Sequence, residues 1–200
     1  MQNNQIDIAI VGGGIVGLAT AFQLQSKFPK LNLVVFEKEC ELAFHQTGRN
    51  SGVIHSGLYY KPGTFRAKNC VNGRKKLVKF AKENNIAHDV CGKIVVAVNE
   101  VESKRLEDLK QNGEQNGLVG LQLLSPEEFK TIEPNAEGVK ALLVPETGII
   151  DYKGVTNTFA KIVKEINSNS LVLTSCKVLD YQENMIQTTK GAYKVKHIIF

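Results

Sequence analysis

The apolar run Ile6–Val11, broken only by Asp7, stops at a glycine. A short run of this kind reads as a strand buried on both faces, as strands of parallel sheets are. The period then changes. Ile15, Leu18, Ala19, Phe22 and Leu24 recur at helical intervals between positions 12 and 27, and Pro29 closes the helix. Residues 31–36 form a second apolar run. Together these pieces predict a β-α-β unit of about 30 residues.

A polar, glycine-rich segment at 37–63 follows, longer than a simple connection needs, and long ordered loops are usually functional. Helical spacing resumes over 65–84 with Leu77, Val78, Phe80 and Ala81. Residues 92–98 are rich in β-branched side chains and predict a strand. Glu100–Gln115 predicts a charged helix closed by Gly113 and Gly117, and Ser125-Pro126-Glu127-Glu128 starts another. Residues 139–144 and Gly148–Ile150 read as short strands. Asp151 is placed to cap a helix reaching about position 166. A run of strands follows at 171–174, 177–181, 185–189 and 193–200. No internal repeat or low-complexity linker interrupts this order.

The strand-helix pattern at both ends predicts one α/β layer built from residues 1–63 and 151–200, with a second, α+β region inserted at 64–150. The chain stops inside an apolar strand, at Ile198-Ile199-Phe200, and is expected to be an N-terminal fragment of a longer protein.

Composition narrows the class. Of 200 residues, 42% are apolar and 22% charged, the balance of a soluble globular protein. The net charge of +5 is mild, and the basic residues of 61–82 read as a solvated helix face, so no nucleic-acid partner is expected. Cys40, Cys70, Cys91 and Cys176 form no C-x-x-C pair, which argues against a zinc site or a disulfide framework; buried free thiols in a reducing compartment are expected, and no metal. The stretch Met1 to Gln5 carries no basic residue, and the apolar run after it is too short for a signal segment. No stretch approaches the ~20 apolar residues that span a bilayer. A cytoplasmic location is expected, with peripheral contact at the inner membrane left open.

The candidate chemistry begins at Gly12-Gly13-Gly14-Ile15-Val16-Gly17, a G-x-G-x-x-G between a predicted strand and a predicted helix. Gly12 permits the tight turn, Gly14 lets backbone approach a pyrophosphate, and Gly17 lets helix and strand pack closely. The helix N-terminus would receive the phosphates. Glu37, about 20 residues on, is placed to accept hydrogen bonds from the adenosine ribose, and its charge disfavours a 2′-phosphate. The fingerprint alone does not separate NAD from FAD. The strip from Thr47 to Tyr60 does more: its glycines and small hydroxyl residues can line a phosphate-ribityl chain and approach a flat ring. An NAD site has no use for such a strip here.

These motifs resemble the glycine-oxidase/D-amino-acid-oxidase superfamily of FAD-dependent oxidoreductases. The resemblance rests on the fingerprint, the strip Thr47 to Gly57 with Tyr59-Tyr60-Lys61-Pro62, Cys91-Gly92-Lys93, and Thr147-Gly148-Ile149-Ile150-Asp151-Tyr152. Asn50-Ser51-Gly52-Val53-Ile54-His55 is also found in the glycerol-3-phosphate oxidases of the superfamily. The double tyrosine and the Thr147 to Tyr152 motif point to its branch acting on L-2-hydroxyglutarate.

The resemblance implies a glutathione-reductase-type, Rossmann-like parallel sheet holding FAD, completed by a C-terminal half. It implies oxidation of L-2-hydroxyglutarate, a 2-hydroxy dicarboxylate, to 2-oxoglutarate by hydride transfer from C2 to flavin N5, with oxygen or a quinone as electron acceptor. Glycerol-3-phosphate oxidation, and a non-catalytic FAD-binding remnant, stay open.

Imidazole titrates near neutrality, and His55 lies in the strip expected beside the flavin ring, so it is the candidate general base. Gly12, Gly14, Gly17, Glu37, Thr47, Gly48, Arg49, Asn50, Ser51 and Gly52 are the candidate FAD contacts. By the resemblance, Val178 pairs its backbone with adenine. Tyr60 and Lys61 are candidates for the substrate carboxylates. His45 is expected in a surface loop, His88 and His197 in surface or packing roles, and Cys40 as a packed thiol rather than a flavin attachment.

Overall fold

A computed structural model describes residues 6–200; the polar stretch Met1 to Gln5 lies outside the described residues. The elements in chain order are β1 (Ile6–Val11), α1 (Ile15–Lys27), β2 (Leu33–Phe36), a 3₁₀ turn (Gln46–Gly48), β3 (Val53–Ile54), α2 (Phe65–Glu83), β4 (His88–Asp89), β5 (Lys93–Ala97) and α3 (Glu100–Gln115). They continue with β6 (Gln122–Leu124), α4 (Pro126–Ile132), β7 (Lys140–Val144), β8 (Gly148–Ile150), α5 (Tyr152–Ile166), β9 (Leu171–Leu173), β10 (Val178–Gln182), β11 (Met185–Thr188) and β12 (Gly191–Ile199).

Two compact units result: the chain up to Ser51 with Asp151–Phe200, and Gly52–Ile150. The first contains a six-stranded sheet of order β10-β11-β12-β1-β2-β9. Strands β12, β1, β2 and β9 run parallel, and β11 and β10 continue the sheet antiparallel from β12. The period of two decides which side chains meet. Ile10, Leu33 and Val35 pack on one face with Leu18 and Ala21 of α1 and Ala160 and Val163 of α5. Ala9, Val34 and Phe36 pack on the other with Cys176, Ile186 and Val195. Burial on both faces is why β1 and β2 read as apolar runs rather than alternating ones.

A buried polar knot ties α1 to this sheet. Gln25 is fully buried; its amide donates to the carbonyls of Pro29 and Leu31 and accepts from the Ser170 hydroxyl, which in turn accepts from the Leu33 N–H.

The second unit has two three-stranded antiparallel sheets, β3-β8-β4 and β5-β7-β6. Leu142 and Val144 of β7 face a core with Leu58, Val71 and Leu106, while Ala141 packs with Leu124 and Phe129 of α4. Arg74 of α2 is buried and makes a two-point contact with Glu146, to Oε1 at 2.6 Å and to the backbone carbonyl at 2.9 Å. Helix α4 starts at Ser125 with Pro126 in its first turn, as its sequence predicts, and a capping box between Ser125 and Glu128 closes that start.

Four expectations need correction. The change of unit falls at Gly52 rather than at 63/64, because Val53–Ile54 pairs with β8. Gly113 does not close α3 but lies within it, where a Cβ would come 2.6 Å from Leu121 and 2.9 Å from Leu58. Asp151 occupies the N-cap position of α5 without a side-chain capping bond. Of the free thiols only Cys176 is buried; Cys70 is half-buried, and Cys40 and Cys91 are exposed on connecting segments outside the helices and strands.

Candidate functional site

In the first unit the fingerprint forms the turn between β1 and α1. Gly12 has φ +114°, a left-handed conformation that favours glycine, and its N–H donates to the Phe36 carbonyl. Gly17 answers a close approach: a Cβ there would lie 2.1 Å from the Gly12 carbonyl oxygen. Helix α1 opens on Gly14, which has no side chain to cap it, and no acid stands in its first turn. No acid of its own first turn therefore competes for the N-terminal dipole, an arrangement that suits an anion. Thr47 reaches this turn from 32 residues away, its hydroxyl accepting from the Ile15 N–H at 3.0 Å.

The Glu37 carboxylate is buried at the end of β2. One oxygen accepts from the Gly13 N–H at 2.6 Å, the other from the Glu39 N–H at 2.8 Å. A carboxylate offers roughly four lone-pair sites, so these bonds fix its orientation without exhausting it. Glu37 lines a cleft of about 330 Å³ with Val11, Gly12, Phe36, Lys38, His45, Cys176, Lys177 and Val178. Three residues chosen from distant parts of the sequence, Gly12, Glu37 and Val178, thus share one cleft.

His45 lies in an exposed loop, as expected, and from there also lines the cleft. Its Nε2 lies 2.8 Å from Glu39 Oε1, and its ring meets Phe44 edge-on. The His45 hydrogen bond, with Lys38 nearby, holds the Glu39 carboxyl below its usual range. The acid two residues after Glu37 was the available signal, but nothing in the spacing says that an acid at 39 and an imidazole at 45 will meet.

The glycine-rich strip is divided between the units. Residues 47–51 belong with the fingerprint. Gly48 packs tightly, a Cβ falling 2.4 Å from the Ala43 carbonyl. Arg49 stacks over Phe44 at 5.0 Å, and Asn50 donates to the carbonyls of Gln46 and Thr47, closing the 3₁₀ turn. Ser51 is exposed.

Gly52 begins the second unit, its carbonyl accepting from the Ile150 N–H. His55 is exposed between buried Ile54 and Ser56, and its carbonyl accepts from Cys70 Sγ at 3.4 Å. Tyr60 and Lys61 are exposed at the end of the following turn.

Residues 7–199 match the family model described as FAD dependent oxidoreductase, DAO. The chain belongs to this family of FAD-dependent oxidoreductases. It is 42% identical to the L-2-hydroxyglutarate dehydrogenase of Indibacter alkaliphilus over 96% of its own length and 49% of that protein. It is 47% identical to the human mitochondrial L-2-hydroxyglutarate dehydrogenase over 88% of the chain and 38% of that protein. Among solved structures, the FAD-bound L-α-glycerophosphate oxidase of Mycoplasma pneumoniae superposes with a TM-score of 0.86 at 30% identity, covering 98% of this chain and 53% of that one. The chain therefore spans at most about half the length of these relatives.

The first unit fits the family cofactor. The close approach of α1 to the β1 turn at Gly17, the acid-free first turn of α1, and the cleft joining Gly12, Glu37 and Val178 suit an adenine dinucleotide. Among the described residues there is no cluster of metal-ligating side chains, and no helix is long and apolar enough to cross a membrane.

Proposed function

We propose that the full-length protein oxidises L-2-hydroxyglutarate to 2-oxoglutarate with FAD. The supporting observation is the 42% and 47% identity, over most of the chain, to dehydrogenases bearing that substrate's name.

Gly12, Gly14 and Gly17 would bring backbone to the pyrophosphate, with Glu37 toward the ribose and the Val178 backbone toward adenine. Thr47, Gly48, Arg49, Asn50, Ser51 and Gly52 would line the remaining cofactor chain. When bound, FAD supplies an acceptor at N5 for the hydride from C2. His55 takes the C2 hydroxyl proton as the C–H pair departs and the carbonyl forms. Tyr60 and Lys61 bind substrate carboxylate. The electrons would leave to oxygen or a quinone, in a cytoplasmic protein that would sit peripherally at the inner membrane were the acceptor a quinone.

The test is an absorbance spectrum of full-length protein before and after anaerobic L-2-hydroxyglutarate. Bleaching of the flavin bands supports both cofactor and substrate, and His55→Ala should slow it by about 10²–10⁴-fold, the usual weight of a general base. A flavin spectrum that stays oxidised would remove the substrate. The second reading, glycerol-3-phosphate oxidation, is favoured by the fold match to the glycerophosphate oxidase and predicts bleaching by glycerol-3-phosphate instead.

A further inference from the structure

Resting on the reading just proposed, we infer that Lys93 and Tyr59 form the site for the second, distal carboxylate of the substrate and so select dicarboxylates. The argument starts with the strand. In β5, Ile94 and Val96 pack with the α4 core, while Val95 and Ala97 pack with the cluster that contains Leu58. The period of two puts Lys93 on the Leu58 side. Leu58 is 1% exposed and anchors a turn from Gly57 to Tyr60, closed by the Tyr60 N–H on the Gly57 carbonyl. Asn116 holds the same turn from outside, its amide donating to the carbonyls of Gly57 and Tyr60. Tyr59 is thus presented at a fixed corner, four positions past His55.

At that corner the Lys93 ammonium lies 4.5 Å from the centre of the Tyr59 ring and donates to its hydroxyl at 3.3 Å. No carboxylate is placed within ion-pair distance of Lys93 among the described residues, whereas Lys110, Lys130, Lys140 and Lys153 each have one. The ring and hydroxyl hold in place a long side chain that would otherwise lose rotamer freedom on binding an anion. Because the phenol oxygen accepts from lysine, its own O–H is available to donate elsewhere. An ammonium and a phenol O–H side by side match the two oxygens of one carboxylate. Tyr59 is 61% exposed, so the pair is open to a ligand.

The experiment compares full-length holoenzymes carrying Lys93→Met or Tyr59→Phe with the unaltered one. The substrates are L-2-hydroxyglutarate and L-2-hydroxypentanoate, its monocarboxylate counterpart of equal chain length, in anaerobic flavin reduction. Lys93→Met should raise KM for L-2-hydroxyglutarate about 10- to 100-fold, the weight of a charged hydrogen bond, while kcat changes little. The monocarboxylate should be unaffected, so discrimination between the two collapses. Tyr59→Phe keeps the ring and should produce a smaller shift in the same direction, and Lys93→Arg should restore most of the loss. An unchanged KM in Lys93→Met, or an equal loss for both substrates, overturns the inference and leaves the proposed function standing. If the unaltered enzyme is not reduced by L-2-hydroxyglutarate, both fail together.

Discussion

Replacing Arg74 by methionine isolates the buried ion pair of the second unit. Arg74 is 7% exposed, and its guanidinium satisfies both a side-chain oxygen and the backbone carbonyl of Glu146. Methionine fills much of the stem volume and donates nothing. The Glu146 side chain, 24% exposed, would keep the Val119 N–H at 3.0 Å as its hydrogen-bond donor. Breaking a buried pair from one side costs about 3–5 kcal/mol. Residual contact of Glu146 with water places the expectation at the low end, about 3 kcal/mol, read as a lower urea midpoint.

The pH dependence carries a sign that tests the cause. Burial pushes the Glu146 carboxyl up, but the Arg74 hydrogen bond, the Val119 N–H and the Arg74 charge together bring it below its usual value of 4.5. Its contribution in the unaltered protein is therefore complete above the unfolded value and is lost as pH falls through the lower, folded one. Without Arg74 the burial effect is opposed only by the Val119 bond and Lys75, and the folded value rises. The variant should then lie closer to the unaltered protein at about pH 5 than at pH 7. Arg74→Met/Glu146→Leu, which removes both charges, should be more stable than Arg74→Met alone. Urea unfolding of the full-length protein at the two pH values measures all of this. A loss below about 1 kcal/mol, or a deficit that does not change with pH, would refute the reasoning.

Gly17→Ala drives a Cβ to 2.1 Å from the Gly12 carbonyl, so α1 must shift; purified protein should lose most of its flavin absorbance relative to protein absorbance, and an unchanged ratio contradicts the cradle. Gln25→Leu removes the amide that donates to the Pro29 and Leu31 carbonyls and leaves the buried Ser170 hydroxyl only its 3.4 Å bond to the Leu31 carbonyl. It should cost about 2–3 kcal/mol by urea unfolding, and a neutral result would mean that water replaces the amide.

The β-α-β unit and its fingerprint were legible because three independent signals coincide there: two apolar runs, a helical period and glycines at fixed spacing. Helix α3 could be bounded at Glu100 and Gln115 because its run of charged residues marks a solvated helix, though Gly113 is not its stop but makes room for Leu58 and Leu121. The two-residue strands β3 and β4 left no period to read; they are strands only because β8 lies between them. The cleft was half legible. Glu37 follows from spacing, but His45 enters through a side-chain pairing with Glu39, and sequence does not record which loop residues fold toward each other.

The position of β1 between β12 and β2 has a consequence for how the chain is made. Ile6 pairs with Val195 and Ile8 with His197, so one edge of the first strand waits for nearly the last residues of this chain. At a synthesis rate of about 5–20 residues per second, that edge leaves the ribosome unpaired for roughly ten to forty seconds. The contiguous stretch Gly52–Ile150 can close its own sheets in the meantime. The nascent protein thus presents an apolar strand to chaperones before its dinucleotide cradle can exist, and the rate of translation through residues 151–200 sets when that exposure ends.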